Sequence, residues 1–172
     1  MDSKGYVQVY TGNGKGKTTA ALGLSLRAVC AGKKVFIGQF IKGMAYSELK
    51  AMDHLPGLTI KQYGLDCFIV NDPTEEDIKI AQRGLREMQA IIKEGKYDVV
   101  VMDELNIALY YHLFLIEDVL EIIKNKHHKL ELIITGRYAK KEILEVADLV
   151  TEMKEIKHYY QKGVEARVGI EK

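Results

Sequence analysis

Prolines are scarce in this chain: Pro56 and Pro73 are the only two in 172 residues. No Ser/Gly-rich linker compensates, so nothing marks a domain boundary, a repeat or a low-complexity segment. Cysteine is equally rare. Cys30 and Cys67 lie far apart in sequence; two cysteines build no zinc site alone and outline no disulfide framework, which points to a reducing compartment. A charge excess is also missing, with 25 basic residues against 24 acidic ones and a formal net charge of +1. General nucleic-acid binders carry a strong basic excess, and that class drops out. The longest uncharged stretch, Leu105 to Ile116, falls well short of the ~20 residues that cross a bilayer. The opening residues Met1–Gly5 hold no apolar signal core. Together these absences predict a soluble, cytoplasmic protein that binds neither nucleic acid nor membrane.

What is present is an ordinary globular mixture, 47% apolar and 28% charged. The length fits one domain of roughly 150 residues, large enough to bury a core without staples. Short apolar runs alternate with helical patterns. Tyr6–Tyr10 is β-branched and aromatic and stops at a glycine cluster; a helix follows from about Lys17, with Ala21, Leu24 and Ala28 on one face and Gly32 as its terminal cap. Strands are predicted at Lys34–Ile41 and, more weakly, Leu58–Tyr63. Thr74 and Asp77 form a capping-box pattern ahead of the stripe Ile78, Ala81, Leu85, Met88 and Ile92, which Gly95 closes. Val99–Met102 is a continuous apolar run of the kind buried on both faces of a parallel sheet. A helix near Leu115–Asn125, a strand over Leu130–Thr135, a helix over Lys140–Ala147 and two late strands near Leu149 and Val168 complete the pattern. Strands alternating with helices imply an α/β fold, with a mostly parallel sheet joined by right-handed crossovers.

The strongest motif lies between the first strand and the first helix: Gly12-Asn13-Gly14-Lys15-Gly16-Lys17-Thr18-Thr19, which is the context a phosphate-binding P-loop requires. Three glycines in five residues let successive N–H groups turn inward, and the helix adds its positive end. Lys17 supplies a cation for phosphate oxygens, and Thr18 a hydroxyl for Mg²⁺. The first glycine of the usual pattern is replaced by Thr11. The second half of such a site is a carboxylate at the end of a buried strand. Val99–Met102 runs into Asp103 and Glu104, either of which could hold the metal; their adjacency leaves the choice open. Arg137, after the strand ending at Thr135, and Gln39 and Lys42, after the second strand, would share the same ligand-binding rim. Each could equally be a surface residue with no ligand. The bottom-up reading is therefore a protein that binds a nucleoside triphosphate with Mg²⁺, or with Mn²⁺ in its place.

The motif residues carry the reading further. Gly12–Ala21, Gln39-Phe40-Ile41-Lys42-Gly43, Met102-Asp103-Glu104-Leu105, Thr135-Gly136-Arg137 and Glu142–Met153, with Lys157-His158, Gly163, Ala166 and Gly169-Ile170, resemble the P-loop type of ATP:cob(I)alamin (corrinoid) adenosyltransferase. The resemblance implies a RecA-like single domain, a homodimer, and transfer of the 5′-deoxyadenosyl group of ATP to the cobalt(I) of a reduced corrinoid, with triphosphate released. It implies ATP held by Gly12, Asn13, Gly14, Lys15, Gly16, Lys17, Thr18, Thr19, Gln39, Lys42 and Arg137. Lys17, Thr18 and Glu104 would stabilise the leaving triphosphate, and Thr18, Asp103 and Glu104 would attend the metal. It further implies reversed binding of ATP, which would make the altered Thr11 position understandable. A corrinoid-facing loop over Gly64–Val70 with Phe68 as its aromatic, and a reduced flavin or flavodoxin-type electron donor, complete the expectation. His158 falls in a family-like motif without an assigned role. The competing readings are a small P-loop nucleoside kinase or NTP hydrolase, told apart by its products, and a non-catalytic module that senses ATP or delivers corrinoid.

Overall fold

A computed structural model describes residues 4–66 and 72–172. Among these residues six strands form one sheet: β1 (Val7–Thr11), β2 (Val35–Phe40), β3 (Leu58–Tyr63), β4 (Val99–Asp103), β5 (Glu131–Thr135) and β6 (Leu149–Glu152), in the order β3-β2-β4-β5-β1-β6. Every pairing is parallel, so the sheet is wholly rather than mostly parallel. Among the described residues five α-helices connect the strands: α1 (Lys17–Cys30), α2 (Glu75–Glu94), α3 (Leu105–Tyr110), α4 (Ile116–Lys124) and α5 (Lys141–Val146).

The apolar runs are continuous because the central strands are covered on both faces. Side chains alternate across a strand. Val99 and Val101 accordingly join Ile37, Ile133, Ala21 and Ala28 in the core under α1, while Val100 and Met102 join Leu132, Ile134, Leu85 and Met88 in the core under the other helices. Along α1 the buried polar residue Ser25 returns its hydroxyl to the Ala21 carbonyl at 2.8 Å, which lets it sit in the apolar face. The capping box predicted for α2 is present in both directions, and Gly95 ends that helix at φ 67°.

One expectation needs correction and one element is added. No strand forms near Val168; residues 168–171 make a turn instead, after a 3-10 turn at Tyr159–Lys162. Glycines at positive φ (Gly163 at 80° and Gly169 at 77°) bend this stretch back on itself, which an extended strand cannot do. The uncharged stretch from Leu105 also contains the short helix α3, which the sequence pattern did not reveal. Among the described residues no helix is long and apolar enough to cross a membrane.

Because all six strands point the same way, their carboxyl ends share one edge. That edge carries the loops after β1, β2, β4 and β5, and it is where open α/β sheets bind ligands.

Candidate active site

The loop after β1 is built around its glycines. Gly12 (φ 96°) and Gly16 (φ 118°) adopt conformations closed to other residues. A side chain at Gly12 would also collide with the Met153 carbonyl oxygen. The chain beyond β6 is stitched to the loop here, with Gly14 N–H donating to Met153 O at 2.7 Å and Met153 N–H to Thr11 O at 2.8 Å. The Thr11 position is thus the last residue of a paired strand. Helix α1 begins at Lys17, with no acidic residue in its first turn to neutralise its positive end.

Lys17 is 6% exposed. Its Nζ donates to the carbonyls of Gly12 (2.8 Å) and Gly14 (2.7 Å), and burial lowers its pKa. Behind the loop lies a buried polar hub. Asp103 is fully buried. Its Oδ1 accepts from the hydroxyls of Thr18 (2.9 Å) and Thr135 (2.7 Å), and its Oδ2 from Lys42 Nζ (2.9 Å) and Gln39 Nε2 (3.3 Å). Four donors, one of them a cation, satisfy that carboxylate. Lys42 is in turn held above its ordinary pKa by Asp103, against the desolvation that would lower it.

Glu104 differs from its neighbour. It occupies the left-handed region at φ 57° as the first step out of β4, and its N–H donates to Thr135 Oγ1 at 3.0 Å. Its side chain faces a cavity. Burial and the adjacent Asp103 charge raise its pKa, against the opposing pull of Lys42, Lys17 and Arg137.

The cavity measures about 490 Å³ and is lined by Gly14–Thr19, Leu22, Lys42, Tyr46–Glu48, Glu104, Arg137, His158 and Gly169–Lys172, a size suited to a small-molecule ligand. Of the residues expected from sequence, Gly14, Lys15, Gly16, Lys17, Thr18, Thr19, Lys42, Glu104 and Arg137 meet there. Gly12 and exposed Asn13 belong to the loop but not to the lining, and Asp103 and Gln39 stand behind it. Gln39 is fully buried and engages Asp103, Glu48 and Gln62. Its burial inside β2 sets it behind the cavity lining rather than on the rim expected from sequence. Phe68 lies outside the described residues.

Sequence reasoning missed the far wall. Glu171 folds over the loop, accepting from Lys15 Nζ at 2.6 Å, from Arg167 and from the Tyr159 hydroxyl. Ser47 Oγ donates to the Lys172 carbonyl at 3.0 Å. Only the family-like spacing of Lys157-His158 and Gly169-Ile170 hinted at this wall.

A P-loop opposite a carboxylate with a hydroxyl between them offers hard oxygen donors. That is the donor set for Mg²⁺ completed by phosphate and water. Among the described residues no cluster of three His, Cys, Asp or Glu forms an all-protein metal cage.

Comparison with known proteins agrees with this geometry. The family model described as ATP:corrinoid adenosyltransferase BtuR/CobO/CobP matches residues 3–171. The chain is 34% identical over 171 residues to a corrinoid adenosyltransferase of Escherichia coli strain K12, covering 99% of this chain and 87% of the relative. It is 36% identical over 174 residues to one from Sinorhizobium sp, covering 99% and 81%. With one from Salmonella typhimurium it shares 32% identity over 171 residues, covering 99% and 87%. With the motifs in order along nearly its whole length, the chain belongs to the ATP:corrinoid adenosyltransferase family.

Proposed function

We propose that the cavity at the carboxyl edge of the sheet holds the polyphosphate of ATP while the cobalt(I) of a reduced corrinoid attacks the 5′ carbon. The carbon–oxygen bond to triphosphate breaks, a cobalt–carbon bond forms from the cobalt electron pair, and triphosphate leaves as the anion. The observation that carries this reading is the convergence of Lys17, Lys42 and Arg137 with Glu104 and Thr18 around one cavity. Cobalt(I) is itself a strong nucleophile, so no side chain need remove a proton. The tasks left to the protein are alignment and stabilisation of the leaving group. Lys17, Arg137 and the loop N–H groups serve the leaving oxygens. Thr18 and Glu104 would hold Mg²⁺, which supplies further charge for the triphosphate. Glu104 is favoured over Asp103 for this role because four hydrogen bonds already occupy Asp103. Mn²⁺ fits the same oxygen donors.

Reversed binding of ATP, with the 5′ carbon rather than the γ-phosphorus facing the acceptor, is supported by the departure at Thr11. A nucleotide complex with the γ-phosphate in its ordinary P-loop place would count against it. Phe68 is the residue we assign to the corrinoid, and a reduced flavin or flavodoxin-type protein is the electron donor. A homodimer and a cytoplasmic location complete the proposal; the free, exposed Cys30 suits a reducing compartment. The deciding experiment is an anaerobic assay with ATP, Mg²⁺ and chemically reduced cobalamin. It is expected to yield a light-sensitive cobalt–carbon bond and inorganic triphosphate. Release of orthophosphate or ADP, without alkylated corrinoid, would favour a kinase or hydrolase instead.

A further inference from the structure

Asn106 is fully buried in the apolar core beneath the site, and its amide is only half satisfied. Nδ2 donates to the Gly136 carbonyl at 3.3 Å, while Oδ1 has no partner among the described residues. An orphaned buried acceptor costs stability, and a leucine of the same branched outline would avoid that cost. Turning the amide over would set an oxygen against the Gly136 oxygen, so the donor must face that way. What the donor holds is the corner that delivers Arg137.

Gly136 sits at φ 127°, and an added Cβ would stand 3.0 Å from the Asn106 Cβ, so only glycine turns here. Its N–H donates to Tyr10 O at 3.2 Å, across to β1, and its carbonyl goes to Asn106. One residue earlier, Thr135 Oγ1 accepts from Glu104 N–H and donates to Asp103. The ends of β4 and β5 are thereby zipped together residue by residue. Arg137, the next residue, lines the cavity and makes no hydrogen bond or ion pair of its own among the described residues. Its side chain therefore starts from a Cα placed by the backbone that Asn106 grips, with no contact of its own to draw it elsewhere.

We propose that Asn106 is a positioning residue that fixes Arg137, relative to Glu104, for the polyphosphate. The proposal deepens the functional reading above and rests on its assignment of Arg137. Three variants of the full chain, Asn106→Leu, Arg137→Ala and the double variant, are titrated calorimetrically with inorganic triphosphate and Mg²⁺, a readout independent of corrinoid turnover. Arg137→Ala is expected to weaken binding about 30-fold, as loss of a charged hydrogen-bonding group does. Asn106→Leu should weaken it about tenfold, typical of a supporting partner, yet by under twofold once Arg137 is absent, because both act through one contact. Equal losses in the two backgrounds, or no loss from Asn106→Leu alone, would overturn the role of Asn106 and leave the function standing. Wild-type affinity in Arg137→Ala would overturn the polyphosphate assignment itself, and the role of Asn106 with it. Should thermal melts show the leucine variant unfolded, Asn106→Ala removes the donor without adding volume or charge, and the same cycle applies.

Discussion

Lys17 donates to two loop carbonyls from a position that is 6% exposed. Its ammonium is therefore held inside the loop, against the carbonyls of Gly12 and Gly14. Replacing it with alanine is expected to lower turnover by about 10²–10³, the usual loss for one preorganised charge on a leaving group. The far-UV circular dichroism should stay unchanged, because α1 is held by Ala21, Ser25 and Ala28. Near-normal turnover would show that Lys17 does not serve the reaction. Glu104 tests the opposite trade. Its pKa is raised by burial and by Asp103, so between the ordinary glutamate range and the raised value the folded protein binds more protons than the unfolded chain. Stability contributed by Glu104 is then full below the unfolded pKa and lost as pH rises through the folded one. Glu104→Gln should melt higher than wild type at neutral pH, with the gap closing as pH falls, and should lose activity. A lower melting temperature at neutral pH would contradict the buried-charge account. At this scale the site was legible wherever chemistry follows a local string, as in Lys17-Thr18 or Asp103-Glu104. It was illegible where the partner is remote: Asn106 meets Gly136 thirty positions away, and nothing in the residues around it announces that contact.

Elements were legible in proportion to their periodicity. The stripe of α2 and its capping box could be read directly, because both are local patterns. The central strands showed as apolar runs because two cores claim alternate residues. α3 escaped because its six residues are apolar or aromatic except Asn106, which is itself one of the four buried ones, so no polar face contrasts with an apolar one. The turn of residues 168–171 escaped for another reason: its cohesion comes from Glu171, which gathers Lys15, Tyr159 and Arg167, and Lys15 lies at the other end of the chain. These contacts lower the Glu171 pKa, with the Arg167 hydrogen bond first among the causes. Removing the charge should free this segment without disturbing the sheet. In Glu171→Gln, amide hydrogen exchange is expected to quicken across residues 164–172 while β4 and β5 keep wild-type protection. Unchanged exchange in the segment would mean that Ser47 and the turn hydrogen bonds suffice to hold it.

At the scale of the molecule, charge is distributed rather than accumulated. The chain carries a formal net charge of only +1, which argued against nucleic acid but said nothing of where the cations stand. The parallel sheet gathers Lys15, Lys17, Lys42, Arg137 and Lys172 around one cavity against Glu48, Glu104 and Glu171, so a nearly neutral protein presents a positive concave site. The meeting of Lys17, Lys42, Glu104 and Arg137 at one rim could be read from the strand pattern; the arrival of Glu48, Glu171 and Lys172 could not, because they come from segments with no strand-end signal. The consequence of the positive site is measurable. A field of this kind concentrates a polyphosphate anion at the cavity, and salt screens it, with a Debye length of about 10 Å at 0.1 M and about 3 Å at 1 M. The KM for ATP is therefore expected to rise several-fold between low salt and 0.5 M KCl, with kcat changing much less, since the contacts inside the filled cavity are shielded from bulk ions. Adenosine, which carries no phosphate, serves as the control: its inhibition constant should hardly move over the same range. Equal salt dependence for the charged and the neutral ligand would mean that the cations around the cavity do not act as a field on the polyphosphate.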